Sequence, residues 1–246
     1  MFHMKHPQPS TPQQLTDPLV WLRTVCAKNG LKIQDDQLDM IGRYVLLLLE
    51  WNQKINLISR RDEENFWQSH ILHSIAPLFQ LGIPPKARVV DLGTGGGLPG
   101  IPLKILNPTI RIMMVDSTQK KITAVNEMTR ALGLSDTIAV WGRAEEIAVR
   151  KEFHQKFDIA VARGVGPLDE LIRLAYPFLA AQTLGGESPG ITQLPARCLL
   201  AYKGGDLEHE IAKSKLNKAV REIEVRVLAG EGMDPAAGKK LVIVHF

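Results

Sequence analysis

Apolar positions in the first third of the chain recur every three to four residues. Leu38, Ile41, Tyr44, Val45, Leu48 and Leu49 fall on one side of a 3.6-residue repeat. Asp35-Asp36-Gln37 precedes them, with acidic groups where a helix start favours negative charge. The helical pattern runs from Leu19 to Leu81, and a second helical stretch is predicted over Asn65–Phe79, after the turn-like Ser59-Arg-Arg-Asp62. Pro84-Pro85 then punctuates the chain and the period changes. Short apolar runs at Arg88–Leu92, Arg111–Asp116, Thr137–Trp141, Phe157–Ala162 and Cys198–Tyr202 read as strands. Amphipathic helices are predicted between them, at Gly100–Leu106, Gln119–Leu132, Pro167–Leu179 and Leu207–Lys218. Glu222–Leu228 and Leu241–Phe246 pair as two last strands. This alternation predicts an α/β fold: a mostly parallel, seven-stranded sheet with helices on both faces and an N-terminal helical extension.

Three segments follow. Residues 1–18, rich in proline and glutamine, cannot bury enough surface to offset their ordering entropy and are expected to be disordered. Residues 19–83 form a helical segment packed on the core, and residues 84–246 form the α/β domain. Ala181–Ala196, with three glycines and two prolines, reads as an exposed loop insertion.

Composition changes this picture little. Hydrophobic residues at 45% and charged residues at 23% are the balance of a globular protein with a sizeable core. Cys26 and Cys198 form no CxxC pair and are expected to be reduced thiols. No run approaches the ~20 apolar residues of a membrane span, since the greasiest, Tyr44–Leu49, stops at Glu50, and the first residues lack the apolar stretch of a secretory signal. A cytoplasmic protein without membrane contact is expected. A net charge of +4 and a pI near 9.1 permit an acidic partner such as RNA without requiring one.

The chemistry concentrates in one turn. Asp91-Leu-Gly-Thr-Gly-Gly-Gly97 follows the first strand, and ligands of a doubly wound sheet bind beyond the carboxyl ends of its strands. Gly93, Gly95 and Gly97 let the backbone approach a ligand closely. Asp116, closing the second strand, is placed to accept both hydroxyls of a ribose, so any adenosine-containing ligand suits the pair. Gly95-x-Gly97-x-x-Gly100 also matches the dinucleotide fingerprint, which makes a nicotinamide or flavin enzyme the rival. Asp91 weighs against it, because a pyrophosphate there would meet like charge, whereas the amino acid end of a sulfonium cofactor could pair with it through water. Pro99 and Pro102 also make an unusual dinucleotide-binding helix. S-adenosyl-L-methionine is therefore the preferred cofactor.

Several further segments agree in order and spacing: Glu50-Trp-Asn-Gln-Lys-Ile-Asn-Leu57, His70-Ile-Leu-His-Ser-Ile75, Val115-Asp-Ser117, Gly142-Arg-Ala-Glu145, Ala162-Arg163 and Tyr202-Lys-Gly204. Together with Asp91–Pro102 this set resembles the bacterial small-subunit rRNA guanine-N7 methyltransferases (the RsmG, or GidB, family) from about Leu38 onward. The resemblance implies a Rossmann-like class I S-adenosylmethionine-dependent methyltransferase acting on 16S rRNA or the small ribosomal subunit. It further implies that Gly93 and Leu98 line the cofactor site, that Asp116, Ser117 and Thr118 surround the ribose, that Ala144 and Glu145 flank the adenine, and that Arg163 stands at the pocket for cofactor and target base. The chain departs from the family in carrying His73 where Asp is usual and Gly164 where Ala is usual, and in a longer 181–196 segment.

Guanine N7 carries a lone pair and no proton, so its methylation needs alignment and no general base. The sequence has no Ser-His-Asp or Cys-His constellation to supply one. Arg163 is the candidate positioning residue, against a structural ion pair with Asp91 or Asp116. Arg143 and Lys203 also follow strands on this edge, and each is balanced between RNA contact and a solvated charge. Asp116 could alternatively cap the next helix, and Glu145 could serve only the dipole of its own helix. His70 and His73 share a helical turn but have no Cys or carboxylate spacing for a metal. Trp51 and Trp67 are expected to be core anchors. Basic groups at Arg60-Arg61, Lys120-Lys121, Arg150-Lys151 and Lys213–Arg221 form a possible phosphate-contacting rim. A methyltransferase of a small molecule or protein, and a non-catalytic nucleotide-binding module, are the alternatives.

Overall fold

The structure is a computed structural model, described here for residues 12–58, 65–181, 192–194 and 197–246. Its centre is a sheet of seven strands in the order β4-β3-β2-β5-β7-β9-β8. These are β2 (Arg88–Leu92), β3 (Arg111–Asp116), β4 (Thr137–Trp141), β5 (Ile159–Arg163), β7 (Cys198–Gly204), β8 (Glu222–Val227) and β9 (Lys239–His245). The first five run parallel, and β9 inserts antiparallel between β7 and β8. A separate parallel pair joins β1 (Leu81–Gly82) to β6 (Thr192–Gln193), which the pattern of apolar residues does not predict.

Alternate residues of each strand serve opposite faces. Val89, Ile112, Met114, Ile159, Leu200 and Ile243 pack beneath helices α1 (Pro12–Lys28), α2 (Asp35–Lys54), α4 (Gly100–Leu106) and α5 (Gln119–Ala131). Val90, Leu92, Val115, Ala160, Leu199 and Val244 join the other core, with side chains from α6 (Ala144–Ala148) and α7 (Leu168–Ala175). Helix α8 (Glu208–Ser214) lies beside α7. The expected two-faced α/β sheet is therefore present, and Trp51 and Trp67 pack half-buried against the first core. Both cysteines are buried thiols, each pushed up to about 12 by desolvation. Among the described residues no helix is long and apolar enough to cross a membrane.

Two expectations need correction. Helix α1 begins at Pro12, so residues 12–18 are helical where disorder was expected, and residues 1–11 lie outside the described set. Pro12 stands at the first helical position, where proline is tolerated, while Pro18 lies inside the helix; extending a helix already anchored by Leu22 and Val25 needs no new nucleus. The fourth parallel strand begins at Ile159, because Asp158 turns its carboxylate to Arg88, accepting from Arg88 N at 2.8 Å and Arg88 Nη2 at 2.6 Å. Most of the 181–196 loop, with Ser59–Asp62, lies outside the described residues.

The N-terminal layer is docked by polar contacts as well as by its apolar face. Gln37 accepts from Gln34 N at 3.0 Å at the start of α2. Its amide donates to the carbonyls of Ile105 and Leu106, which end α4 without helical partners. After α2 comes a π-helical turn, Trp67–Leu72, running into α3 (His73–Ile75) and a 3₁₀ turn, Ala76–Phe79. The predicted second helical stretch is thus present, in irregular form.

Candidate active site

Strand β2 has β3 on one side and β5 on the other, so the chain reverses its winding direction at its carboxyl end. The glycine turn occupies that point. Gly93 N and Thr94 N donate to the Val115 carbonyl at 2.8 and 3.0 Å, which ties the turn to the end of β3. Gly93, Gly95 and Gly97 all have positive φ. A Cβ on Gly93 would stand 2.6 Å from Val165, and one on Gly97 would stand 2.4 Å from Ile101, so these positions require glycine for both conformation and space.

Helix α2 holds the turn from below. The Tyr44 hydroxyl donates to the Gly96 carbonyl at 2.9 Å. The Asn52 carboxamide oxygen accepts from Leu57 N and Ile58 N, which sets Leu57 against the same glycines.

Asp91 is fully buried behind the turn. Its Oδ2 accepts from Thr94 Oγ1 at 2.7 Å and from Gly100 N at 3.0 Å, while Oδ1 has no partner among the described atoms. Burial pushes this carboxyl up to about 6, against the pull of those two donors and of the Arg163 charge. Asp116, by contrast, faces the turn directly. Its Oδ2 accepts from Gly95 N at 3.0 Å and its Oδ1 from Thr118 N at 2.8 Å. Asp116 thus orders the loop on both sides of itself, and it does not cap the next helix, whose N-cap is Thr118.

A cleft of about 610 Å³ opens on the β5 side of the turn. Of the residues singled out in the sequence, Gly93, Gly95, Leu98, Arg163, Lys203 and both histidines border it, together with Thr94. Arg163 closes β5 and donates to the carbonyls of Ser69 and His70 at 3.3 and 3.4 Å, with its second nitrogen 3.1 Å from His70 Nδ1. The guanidinium is therefore braced by the π-helical turn. Lys203 is no solvated charge: its ammonium meets Glu210 Oε2 at 2.7 Å and the Gly166 carbonyl at 3.0 Å. The same Glu210 oxygen accepts from Leu168 N, so one carboxylate links the starts of α7 and α8 to the end of β7.

His73 is buried beneath the cleft with its ring edge-on to Tyr202, and its Nε2 has no partner among the described atoms. Burial, followed by the charges of Arg163 and Lys239 and by His70, lowers it to about 3, against a hydrogen bond to the Ser69 backbone. The imidazole is neutral. The Tyr202 hydroxyl donates to the Ser74 carbonyl at 2.7 Å, which fixes the wall behind it.

The remaining predicted residues do not border this cleft. Ser117, Thr118, Arg143, Ala144 and Glu145 gather across the turn, at the carboxyl ends of β3 and β4. Gly142 N donates to the Asp116 carbonyl at 3.1 Å, and the Trp141 indole donates to the Ser117 carbonyl at 3.1 Å. Arg143 precedes α6 and is exposed, as is Glu145 in the first turn of that helix. The predicted residues thus fall on two sides of the glycine turn, one group bordering the cleft and the other at the ends of β3 and β4. Thr94, Ser69, Glu210 and Lys239 border the cleft without having been singled out in the sequence, whereas Lys121 belongs to the basic pair Lys120-Lys121 noted there. For Thr94 a signal existed, since it lies three residues after a strand-ending aspartate, at hydroxyl–carboxylate reach.

The sequence profile of the GidB family, described as rRNA small subunit methyltransferase G, matches residues 37–232. A Pelodictyon phaeoclathratiforme protein named Ribosomal RNA small subunit methyltransferase G is 37% identical over 237 residues, which cover 95% of this chain and 96% of that protein. Proteins of the same name from Moorella thermoacetica and Chlorobium limicola are 36% and 39% identical. Each match covers 80% of this chain, with 74% and 80% of the respective relative. Likeness of this kind runs through helix α2, the glycine turn and every strand of the parallel sheet, and is not confined to a shared cofactor-binding architecture. The chain belongs to the rRNA small subunit methyltransferase G family.

Proposed function

We propose that this protein transfers a methyl group from S-adenosyl-L-methionine to N7 of a guanine in 16S rRNA, in the cytoplasm. The observation that carries the cofactor assignment is the Asp116 carboxylate set against Gly95 N across a turn in which Gly93 and Gly97 combine positive φ with crowded Cβ positions. This donor set fits a nucleoside with a free ribose, because each Asp116 oxygen retains a lone pair after accepting its backbone hydrogen bond. Ser117 and Thr118 adjoin the same ribose position, and Ala144 and Glu145 flank the adenine. Gly93, Gly97 and Leu98 shape the turn around the amino acid end, where buried Asp91 supplies negative potential through the loop amides.

Bound S-adenosylmethionine supplies a methyl group on a positively charged sulfonium. Guanine N7 uses its lone pair to form the new N–C bond as the C–S bond breaks, and the purine takes up the positive charge. No proton moves, so the residues around the cleft have only to align and to exclude water. Arg163, braced by two carbonyls, orients cofactor and target base without depending on a flexible surface contact. Lys203 is held by Glu210 and shapes the wall on which the base rests. His73, kept neutral, adds no positive charge beside a base that is becoming cationic. Arg143, exposed beyond β4, contacts the RNA backbone outside the cleft.

The test is methyl transfer from labelled S-adenosylmethionine to small subunits lacking their native modification, with the product nucleoside identified by mass spectrometry. A single 7-methylguanosine is expected. Its absence, with cofactor binding intact, refutes the rRNA assignment and points to a small-molecule or protein acceptor. Arg163→Ala should cut single-turnover rate more than it cuts stability, and an unchanged rate would remove Arg163 from the site.

A further inference from the structure

The described lining of the cleft is rich in basic side chains. Lys121, Arg163, Lys203 and Lys239 border it, and Glu210 is the single carboxylate among its described lining residues. Glu210 is already committed to Lys203 at 2.7 Å. Arg163 is oriented by the π-helical turn. Lys121, in the first turn of α5, borders the same cleft.

Lys239 differs from these in position. It is the first residue of β9, and only because β9 runs antiparallel to its neighbours does a strand's beginning lie at the carboxyl edge of the parallel strands. There it pairs with Gly204, at the end of β7. Its charge reaches His73 beneath the cleft, so it acts on the interior and not only on solvent. Beside it the chain is bare: a Cβ on Gly205, at φ +73°, would meet nothing within 4 Å. The Lys240 ammonium closes that turn by donating to the Gly205 carbonyl at 2.7 Å. An open, cation-edged notch results.

Three strand spacings separate β9 from β2, in the order β2-β5-β7-β9, or roughly 14 Å at ~4.8 Å each. That distance exceeds the reach of a lysine side chain to a cofactor seated on the β2–β3 turn. The ligand of Lys239 therefore belongs to the substrate. Lys239 also lies beyond the residues 37–232 that the family profile covers.

We propose that Lys239 is a substrate-positioning residue that binds a phosphodiester of the RNA strand next to the target base, in the notch formed with Gly204 and Gly205. The inference rests on the RNA reading given under Proposed function. A lysine–phosphate contact displaces a counterion from the strand, so it carries a salt signature that packing does not.

The experiment compares wild type, Lys239→Gln and Lys239→Arg. It measures RNA affinity by filter binding over a range of salt, the KM for unmodified small subunits, and S-adenosylhomocysteine affinity by calorimetry. Lys239 is half-exposed at a strand end, and Lys239→Arg retains both charge and volume. Lys239→Gln should weaken RNA binding roughly three- to tenfold and flatten the log–log salt slope by about 0.7. KM should rise more than kcat falls, S-adenosylhomocysteine affinity should hold, and Lys239→Arg should restore the slope. An unchanged slope and KM in Lys239→Gln, while wild type methylates normally, overturns this inference alone. Loss of S-adenosylhomocysteine affinity also overturns it, placing Lys239 with the cofactor. If wild type binds RNA with a slope that Lys239→Gln reduces but methylates no guanine, the methyl-transfer reading falls and the phosphate contact stands. If wild type does not bind RNA, both fall.

Discussion

The Tyr44 hydroxyl donates to the Gly96 carbonyl at 2.9 Å, and this buried hydrogen bond joins the N-terminal helical layer to the turn proposed to hold the cofactor. Tyr44 is fully buried and its phenol is pushed upward by desolvation, so it remains a donor at any ordinary pH. Tyr44→Phe keeps the packing and strands the carbonyl, at a cost of ~1–3 kcal/mol. Urea denaturation should show that loss, and S-adenosylhomocysteine should bind more weakly. Unchanged values of both would mean that α2 serves only as a cover.

Gly96 also meets α2 through space. A Cβ there would lie 2.6 Å from Leu48 Cδ1 and 3.3 Å from Leu57 Cβ. Gly96→Ala should destabilise by ~1–3 kcal/mol through overpacking, and Leu48→Ala by ~2–5 kcal/mol through the cavity it leaves. The double variant should cost less than the two together, because the new methyl enters the space that Leu48 vacates. Additivity within ~0.5 kcal/mol in a double-mutant cycle would show that the two do not touch.

For Asp116 the expected effect is on binding. Asp116→Ala removes a charged acceptor facing the ribose position and releases Gly95 N and Thr118 N. Cofactor affinity should fall by ~1.5–3 kcal/mol, with Asp116→Asn intermediate, since an amide oxygen can still accept from one of the two. Calorimetric titration of the three proteins with S-adenosylhomocysteine settles the order. Equal affinities would take Asp116 out of the site.

His73 should leave its mark on acid stability. Its folded value of about 3 lies below that of a free histidine, near 6.5. Between those values the unfolded chain takes up a proton that the folded protein refuses, so stability drops as pH falls through this window. The groups that enforce this are Arg163 on β5, Lys239 on β9 and His70 on the preceding turn, with the Ser69 backbone opposing. Asp91 tilts the range from about 3.8 to about 6 the other way. Its raised carboxyl favours the fold while protonated, and that contribution is lost as pH rises. Comparing wild type with His73→Gln isolates the histidine. The variant should lose less stability from pH 6.5 to pH 4, and identical acid limbs in urea titrations would contradict the assignment.

Much of this architecture is legible before any coordinates. Arg88–Leu92, Arg111–Asp116 and Thr137–Trp141 are strands at the predicted bounds, because each is an apolar run between turn residues. The strand at 157–162 shifts because Asp158 has a partner 70 residues away. Pattern within the chain does not reveal that. Helix α6, five residues long, is too short to show a period. The glycine turn and Asp116 were readable from type and spacing. The separation of the predicted residues onto two sides of that turn was not, since it depends on how one loop sits across two strands. Nor was the pairing of Lys203 with Glu210, which depends on how α8 folds back on the end of β7, or the arrival of Lys239 at the same edge, which follows from the direction of β9.

The insertion of β9 between β7 and β8 also sets an order of events. Strand β8 hydrogen-bonds to β9 and to no other strand of the sheet. As the chain leaves the ribosome amino end first, β8 emerges before the strand it needs and has no seat until β9 docks on β7. The five parallel strands can assemble earlier, around the glycine turn. A nascent or truncated chain lacking residues 239–245 would therefore lose two strands instead of one, and would present the bare edge of β7 to any passing partner strand. The enzyme proposed here to modify the ribosome has its own sheet closed by the strand that a ribosome delivers after all the others of that sheet.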